Sequence, residues 1–171
     1  MAGPVIKIEG LKETLARFDV KKYEPEIQTC FNKFGLRVEL AAKQAVPVDE
    51  GKLKGSIFQQ PGKLSNTFGA AANYASFQEF GTRKFATAYI ATLPADWQAY
   101  AKQYKGGGSG TFDEFLQSLM GWCKRHGISD KAAYPIAIKI LRNGLKPQPF
   151  LYPAFNKNKD LLIKDLQNIK L

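Results

Sequence analysis

From Ile27 to Ala45 the residues Ile27, Phe31, Phe34, Val38, Ala41 or Ala42, and Ala45 recur at spacings of three and four. That periodicity puts them on one face of an α-helix, and prolines bracket the run. Pro25 suits a first helical turn, with Glu24 and Glu26 at the positive end of the helix dipole, so the start is expected between Tyr23 and Glu26. Pro47 ends the helix, because it cannot continue the hydrogen-bond ladder. Charges are interspersed along the stripe and alanine dominates its second half. These features favour a core-facing helix over a membrane or partner-binding one, since small residues admit close approach of a sheet or another helix. Gly35 inside such a helix costs roughly 1 kcal/mol relative to alanine, which points to a contact too tight for a side chain.

The remaining elements are read around this helix. Pro4 to Glu9 alternates weakly and ends at Gly10, as a short strand would, and Leu11, Leu15 and Phe18 share one face of a brief amphipathic helix. Asp49 is placed to cap a short helical turn through Lys54, bracketed by Gly51 and Gly55. Ser56 to Gln60 and Leu64 to Ala72 read as two strands of a hairpin turning at Pro61-Gly62-Lys63, with Ile57 and Phe68 facing the long helix. Ala70-Ala71-Ala72 makes a thin-walled strand that another element can approach closely. In Asn73 to Thr82, Tyr74, Phe77 and either Gln78 or Phe80 lie on one side of a short helix that Gly81 ends in the left-handed conformation. Glu79 falls near the C-terminal end, where the dipole disfavours an acid. Local physics makes it a surface acid, with Arg83, Lys84 or the Thr82 hydroxyl as its nearest partners.

Beyond Arg83 the character changes. Ala86 to Ala91 reads as extended, Pro94 to Lys102 as helical, and Lys105 to Gly110 as a flexible loop. That glycine run is no phosphate loop, because no lysine-serine or lysine-threonine pair follows it and no apolar strand leads in. Thr111 with Glu114 forms a capping-box pattern, followed by the stripe Phe112, Phe115, Leu116, Leu119, Trp122 and Cys123, ended by Gly127. Ala133 to Arg142 is a further helix, closed by Asn143-Gly144. Trp97 and Trp122 are assigned to packing. Pro147 to Phe155 cannot be helical throughout and is expected as an edge strand or extended arm. From Asn156 onward, Leu161, Leu162, Leu166 and Ile169 mark a final amphipathic helix, with Lys157, Lys159, Lys164 and Lys170 on its wet side.

Composition limits the chemistry. A chain of 171 residues that is 44% hydrophobic and 12% aromatic is globular, and its apolar runs are too short to span a bilayer. It buries about two-thirds of its unfolded surface, enough for one domain carrying a sizeable insertion. The N-terminus lacks the order of a secretory signal, so synthesis and assembly in a cytoplasm are expected. Cys30 and Cys123 have no second ligand at metal spacing, and they read as reduced, half-buried fillers. His126 is the lone histidine, with no nucleophile or paired acid beside it. No acid pair, nucleophile-base set or metal-ligand cluster can be assembled from close spacings. No catalytic, cofactor-binding or metal-binding residue is therefore assigned. A net charge of +10 attracts nucleic acid, acidic lipid or an acidic protein surface.

Four segments recur in a recognisable order: a helix ending at Ala45-Val46-Pro47, then Val48-Asp49-Glu50-Gly51-Lys52-Leu53-Lys54-Gly55-Ser56-Ile57, then Tyr74-Ala75-Ser76-Phe77-Gln78-Glu79-Phe80-Gly81-Thr82, and late in the chain Pro149-Phe150-Leu151-Tyr152-Pro153-Ala154 before a terminal helix. Together they resemble the HK97 gp10-like family of tailed-bacteriophage neck and tail-completion proteins, over most of residues 4 to 82 and 130 to 171. The resemblance implies an α+β fold, with the long N-terminal helix packed on a small antiparallel sheet and a C-terminal helix. Residues 4–82 and 147–171 would form the core of a single domain, with a helical insertion at about 84–146. It further implies a homo-oligomeric ring, sixfold or twelvefold, at the head-tail junction of a virion. That ring would contact the tail-terminator and the connector or stopper proteins while genomic DNA passes through its lumen. Motif residues expected at interfaces or in structural roles are Pro47, Asp49, Gly51, Leu53, Ser56, Tyr74, Glu79, Phe80, Gly81, Thr82, Pro149, Phe150, Pro153 and Ala154. The alternative is a stand-alone basic nucleic-acid-binding protein. Against it, the lysines are spread over several elements rather than gathered on one recognition helix.

Overall fold

The computed structural model describes residues 5–7, 20–104 and 110–169, with backbone alone at 5–7 and 20–22. The brief helix expected at Leu11 to Phe18, most of the Lys105 to Gly110 loop, and Lys170 lie outside these residues. In chain order the elements are β1 (Val5–Lys7), α1 (Val20–Ala45), α2 (Lys52–Gly55), β2 (Ile57–Gly62), β3 (Ser65–Ala70), α3 (Ala75–Phe80), α4 (Arg83–Ile90), α5 (Ala95–Ala101), α6 (Phe112–Arg125), a 3₁₀ turn (Asp130–Ala132), α7 (Ala133–Asn143) and α8 (Leu151–Gln167). The class is α+β: a long N-terminal helix packs on a small antiparallel sheet, with a helical insertion and a C-terminal helix. Two compact units result, one made of Met1–Ala75 with Pro149–Leu171 and the other of Ser76–Gln148. Most of the Tyr74–Thr82 motif thus belongs to the second of these, the inserted unit.

In the first unit the stripe of α1 buries Ile27, Cys30, Phe31, Phe34, Val38, Ala42 and Val46. Ala45 is exposed, so the stripe ends on Ala42 and Val46. The helix starts at Val20, and Pro25 lies inside it rather than in its first turn. A proline so near the N-terminal end forgoes only one ladder bond, so good helix formers upstream extend the helix past it. The sheet order is β1-β3-β2, both pairs antiparallel. Ile57 pairs with Ala70 and Gln59 with Phe68, so the period-two rule puts Ile57, Gln59, Asn66, Phe68 and Ala70 on one face. Phe68 on that face meets Phe34 of α1 edge-on at 6.0 Å, and Phe155 of α8 closes the cluster at 5.8 Å from Phe34 and 5.9 Å from Phe68. Each such pair contributes about 0.5–1.5 kcal/mol beyond the area it buries.

Three expectations for this unit are corrected. The hairpin turns at Lys63-Leu64, with Pro61 and Gly62 paired in β2. Proline is tolerated there because β2 is an edge strand. Gly51, at φ 77°, occupies the N-cap of α2 in place of Asp49. Residues Leu151 to Phe155 are helical, since Phe150 is the N-cap and Pro153 falls in the first turn, where a missing N–H costs nothing. The buried face of α8 is Leu151, Ala154, Asn158 and Leu162, while Leu161 is 42% exposed. Arg37 and Asp165 join α1 to α8 at 2.6 Å.

The inserted unit is helical. Ala86 to Ala91, expected as extended, lies in and just after α4, whose alanines favour helix over strand. Phe80, Tyr100 and Tyr104 form a ring cluster, with centroids 5.2 to 6.2 Å apart and the Tyr104 hydroxyl donating to that of Tyr100 at 2.6 Å. Trp97 packs edge-on to Tyr100 and is buried. The capping box is present: Thr111 Oγ1 accepts from the Glu114 N–H, and Glu114 Oε2 accepts from the Thr111 N–H at 2.7 Å. The stripe of α6 is only partly covered. Cys123 is buried, Phe115, Leu116, Leu119 and Trp122 are half-buried, and Phe112 is 38% exposed.

Candidate functional site

The motif residues occupy structural positions more than chemical ones. In the first unit, Gly51 takes a left-handed φ that a side chain would strain, and Leu53 is buried behind it. The Ser56 hydroxyl donates to the Leu53 carbonyl at 2.8 Å, and the Ser56 carbonyl accepts from the Ala71 N–H at 3.0 Å, fastening the short helix to the start of the hairpin. Pro47 and Asp49 are exposed, and Tyr74, which precedes α3, is 46% exposed. Pro149 is half-buried, Phe150 and Ala154 are buried, and Pro153 faces solvent.

In the inserted unit, Gly81 ends α3 with φ 75°, and its N–H donates to the Phe77 carbonyl at 2.9 Å. A Cβ there would stand 2.8 Å from the Leu145 carbonyl oxygen. Space and backbone angle both require glycine. Thr82 follows with two bonds to one residue: its N–H donates to the Leu145 carbonyl at 3.0 Å, and its Oγ1 accepts from the Leu145 N–H at 2.7 Å. The Gln148 N–H donates to the Gln78 carbonyl at 2.8 Å, and the two glutamine side chains also bond to each other. The glutamine-to-threonine leg of the motif is therefore clasped antiparallel to Leu145–Gln148, the leg by which the chain leaves this unit. Nothing in the spacing of either segment marked them as partners. The available signal was Asn143-Gly144, since Gly144, at φ 89°, comes so close to the Thr82 backbone that a Cβ would lie 2.8 Å from its carbonyl carbon.

Glu79 is fully buried, against the surface position expected of it, and Phe80 beside it is 3% exposed. Among the groups expected near Glu79, the Thr82 hydroxyl oxygen accepts from the Leu145 N–H. The Lys84 ammonium lies 3.4 Å from Asn143 Oδ1 and over the Phe85 ring. A pocket of about 220 Å³ opens beside α3, lined by Phe77, Phe80, Ile90 and Tyr104, with the Thr82 hydroxyl and Arg83 among its polar groups. One cation over an apolar wall can hold an aromatic or aliphatic group, but it provides no acid-base pair.

Among the described residues no group of three His, Cys, Asp or Glu is placed to hold a metal ion, and no helix is long and apolar enough to cross a membrane. Cys30 and Cys123 are free and buried, more deeply than the half-buried filler reading required. Burial, then the nearby Asp165 carboxylate, pushes the Cys30 thiol pKa up, away from the reactive thiolate. His126 caps the C-terminus of α6 and packs on Trp122 with ring centroids 4.6 Å apart. No family model, curated protein or solved structure matches the chain.

Proposed function

We propose that this chain is a structural protein of a tailed-phage virion. It assembles into a homo-oligomeric ring at the head-tail junction, joins tail to connector, lets DNA pass and performs no catalysis. The observation that carries the reading is the ordered run of four motif segments together with the use to which their residues are put. Gly51 and Gly81 supply left-handed turns, while Leu53, Glu79, Phe80, Phe150 and Ala154 are buried. Motifs devoted to backbone geometry and packing suit a scaffold whose work is to present fixed surfaces. Two such surfaces are candidates for ring contacts. Leu36 and Leu40, 56% and 60% exposed, lie one turn apart on the outer side of α1, and β2 is the edge of its sheet.

Native mass spectrometry of the purified chain, alone and with a tail-terminator protein, tests this reading. Closed multimers, or multimers that form on the terminator, are expected. A lasting monomer with no affinity for neck or tail proteins overturns it. The net charge of +10 supports the second reading, a stand-alone nucleic-acid-binding protein. A gel shift at two salt concentrations separates the two, because tight, steeply salt-dependent binding by the monomer favours the second.

A further inference from the structure

In the inserted unit, α7 turns Ala133 and Ala137 inward, and both are buried. Tyr134, Ile138 and Leu141, at helical spacings of four and three, lie on a flank that is 57%, 37% and 42% exposed. Phe112 of α6, 38% exposed, meets Tyr134 edge-on at 6.1 Å and widens this stripe into a two-helix apolar face. Four large apolar side chains left in water on adjoining helices are more than the scattered exposure that ordinary surfaces carry. The charges around the face are uneven. Lys139 and Arg142 line its C-terminal end, both exposed, and among the described residues no ion pair engages either. Asp113 and Asp130 sit at the opposite end, beside Phe112 and Lys131.

We propose that this face docks an amphipathic helix of a partner protein, whose apolar anchors cover Tyr134, Ile138 and Leu141 and whose flanking acids meet Lys139 and Arg142. Tyr134, Ile138 and Leu141 run along the axis of α7, so a second helix laid beside it can cover all three. The charge selects the occupant. A second copy carries a net charge of +10 that opposes its approach, whereas a partner helix flanked by acids is drawn to a chain of this charge and neutralises Lys139 and Arg142. The inference stands apart from the ring reading, since a ring can form through other surfaces whether or not this face is filled.

The test uses the full chain and a fluorescent designed peptide with leucines at helical spacing and glutamates beside them. Its controls are a twin peptide carrying lysines in place of the glutamates and vesicles of phosphatidylcholine with phosphatidylserine. Fluorescence anisotropy is expected to show binding of the glutamate peptide that weakens with added salt. The double variant Ile138→Glu/Leu141→Glu should weaken it about tenfold or more, since central anchors dominate such contacts. Lys139→Glu/Arg142→Glu should weaken it about threefold to tenfold and improve capture of the lysine twin. The charge-reversal pair sits at exposed charged positions, so it keeps the test valid if the apolar pair disturbs folding. Equal binding of both peptides, binding unchanged in both variants, preference for the vesicles, or self-association through Ile138 and Leu141 each overturns the proposal.

Discussion

Replacing Gly35 by alanine tests how α1 sits on the sheet. A Cβ at Gly35 would stand 2.5 Å from Asn66 Cγ and 2.6 Å from Asn66 Oδ1, against an ordinary separation of about 3.5 Å or more. Asn66 has little room to yield. It is fully buried, and its amide donates to the Phe31 carbonyl at 3.3 Å and to Gln59 Oε1 at 2.8 Å, while its own Oδ1 has no partner among the described residues. Overpacking costs about 1–3 kcal/mol, and each disturbed hydrogen bond adds about 0.5–1.5. The helical preference of alanine over glycine returns about 1 kcal/mol. The net loss is about 2 kcal/mol, which for a chain of this size lowers Tm by roughly 4–8 °C. Circular dichroism melts of wild type, Gly35→Ala, Asn66→Ala and the double variant decide the matter. With the Asn66 amide gone, the new methyl has space and alanine's helical preference remains, so the double variant should be about 1 kcal/mol more stable than Asn66→Ala, a coupling of about 3 kcal/mol. A Gly35→Ala protein as stable as wild type, or strictly additive effects, would refute the reasoning.

Four further outcomes follow from other contacts of the structure. Gly81→Ala should destabilise the inserted unit by about 2 kcal/mol or more, through its positive φ and its approach to Leu145; Thr82→Val should cost about 1 kcal/mol by removing one acceptor of the clasp, with hydrogen exchange at Leu145 as the readout. The Thr111 backbone N–H, and after it the Thr111 hydroxyl, hold the Glu114 carboxyl below its usual pKa. The contribution of this box is therefore present above the ordinary carboxylate range and lost as pH falls through the folded value; NMR titration should find the Glu114 pKa low in wild type and partly restored upward in Thr111→Ala, and an unshifted wild-type value refutes it. The thiol pKa of Cys30 is raised in the folded state, so stability should decline as pH rises past the unfolded thiol pKa, and iodoacetamide should modify Cys30 only after denaturant is added; rapid labelling of the native chain would count against its burial.

What could be read in advance was what rests on near neighbours. The stripe of α1 and its stop before Pro47, the capping box at Thr111, and the chain reversals at Gly81 and Gly144 are set within a few residues, and the structure carries them as expected. Gly35 was legible because a glycine in a good helix conflicts with its own propensity, but its partner Asn66 lies across the fold, where no spacing points to it. Prolines misled three times, Pro25 by suggesting a later helix start. Pro61 suggested a turn and Pro153 an extended arm, yet an edge strand and a first helical turn leave a missing N–H harmless. That error hid Phe155, which completes the ring cluster with Phe34 and Phe68. Glu79 was misplaced because burial depends on tertiary cover, which local electrostatics does not register. Among the motif residues, backbone roles were legible and side-chain exposure was not.

The clasp between Gln78 and Gln148 places the entrance and the exit of the inserted unit side by side. Everything between those two doorways behaves as a cassette: helices can be added, shortened or exchanged there, and the polypeptide still returns to α8 from the same point. A protein organised this way can acquire a new attachment surface without redesigning the helix-and-sheet body that carries it.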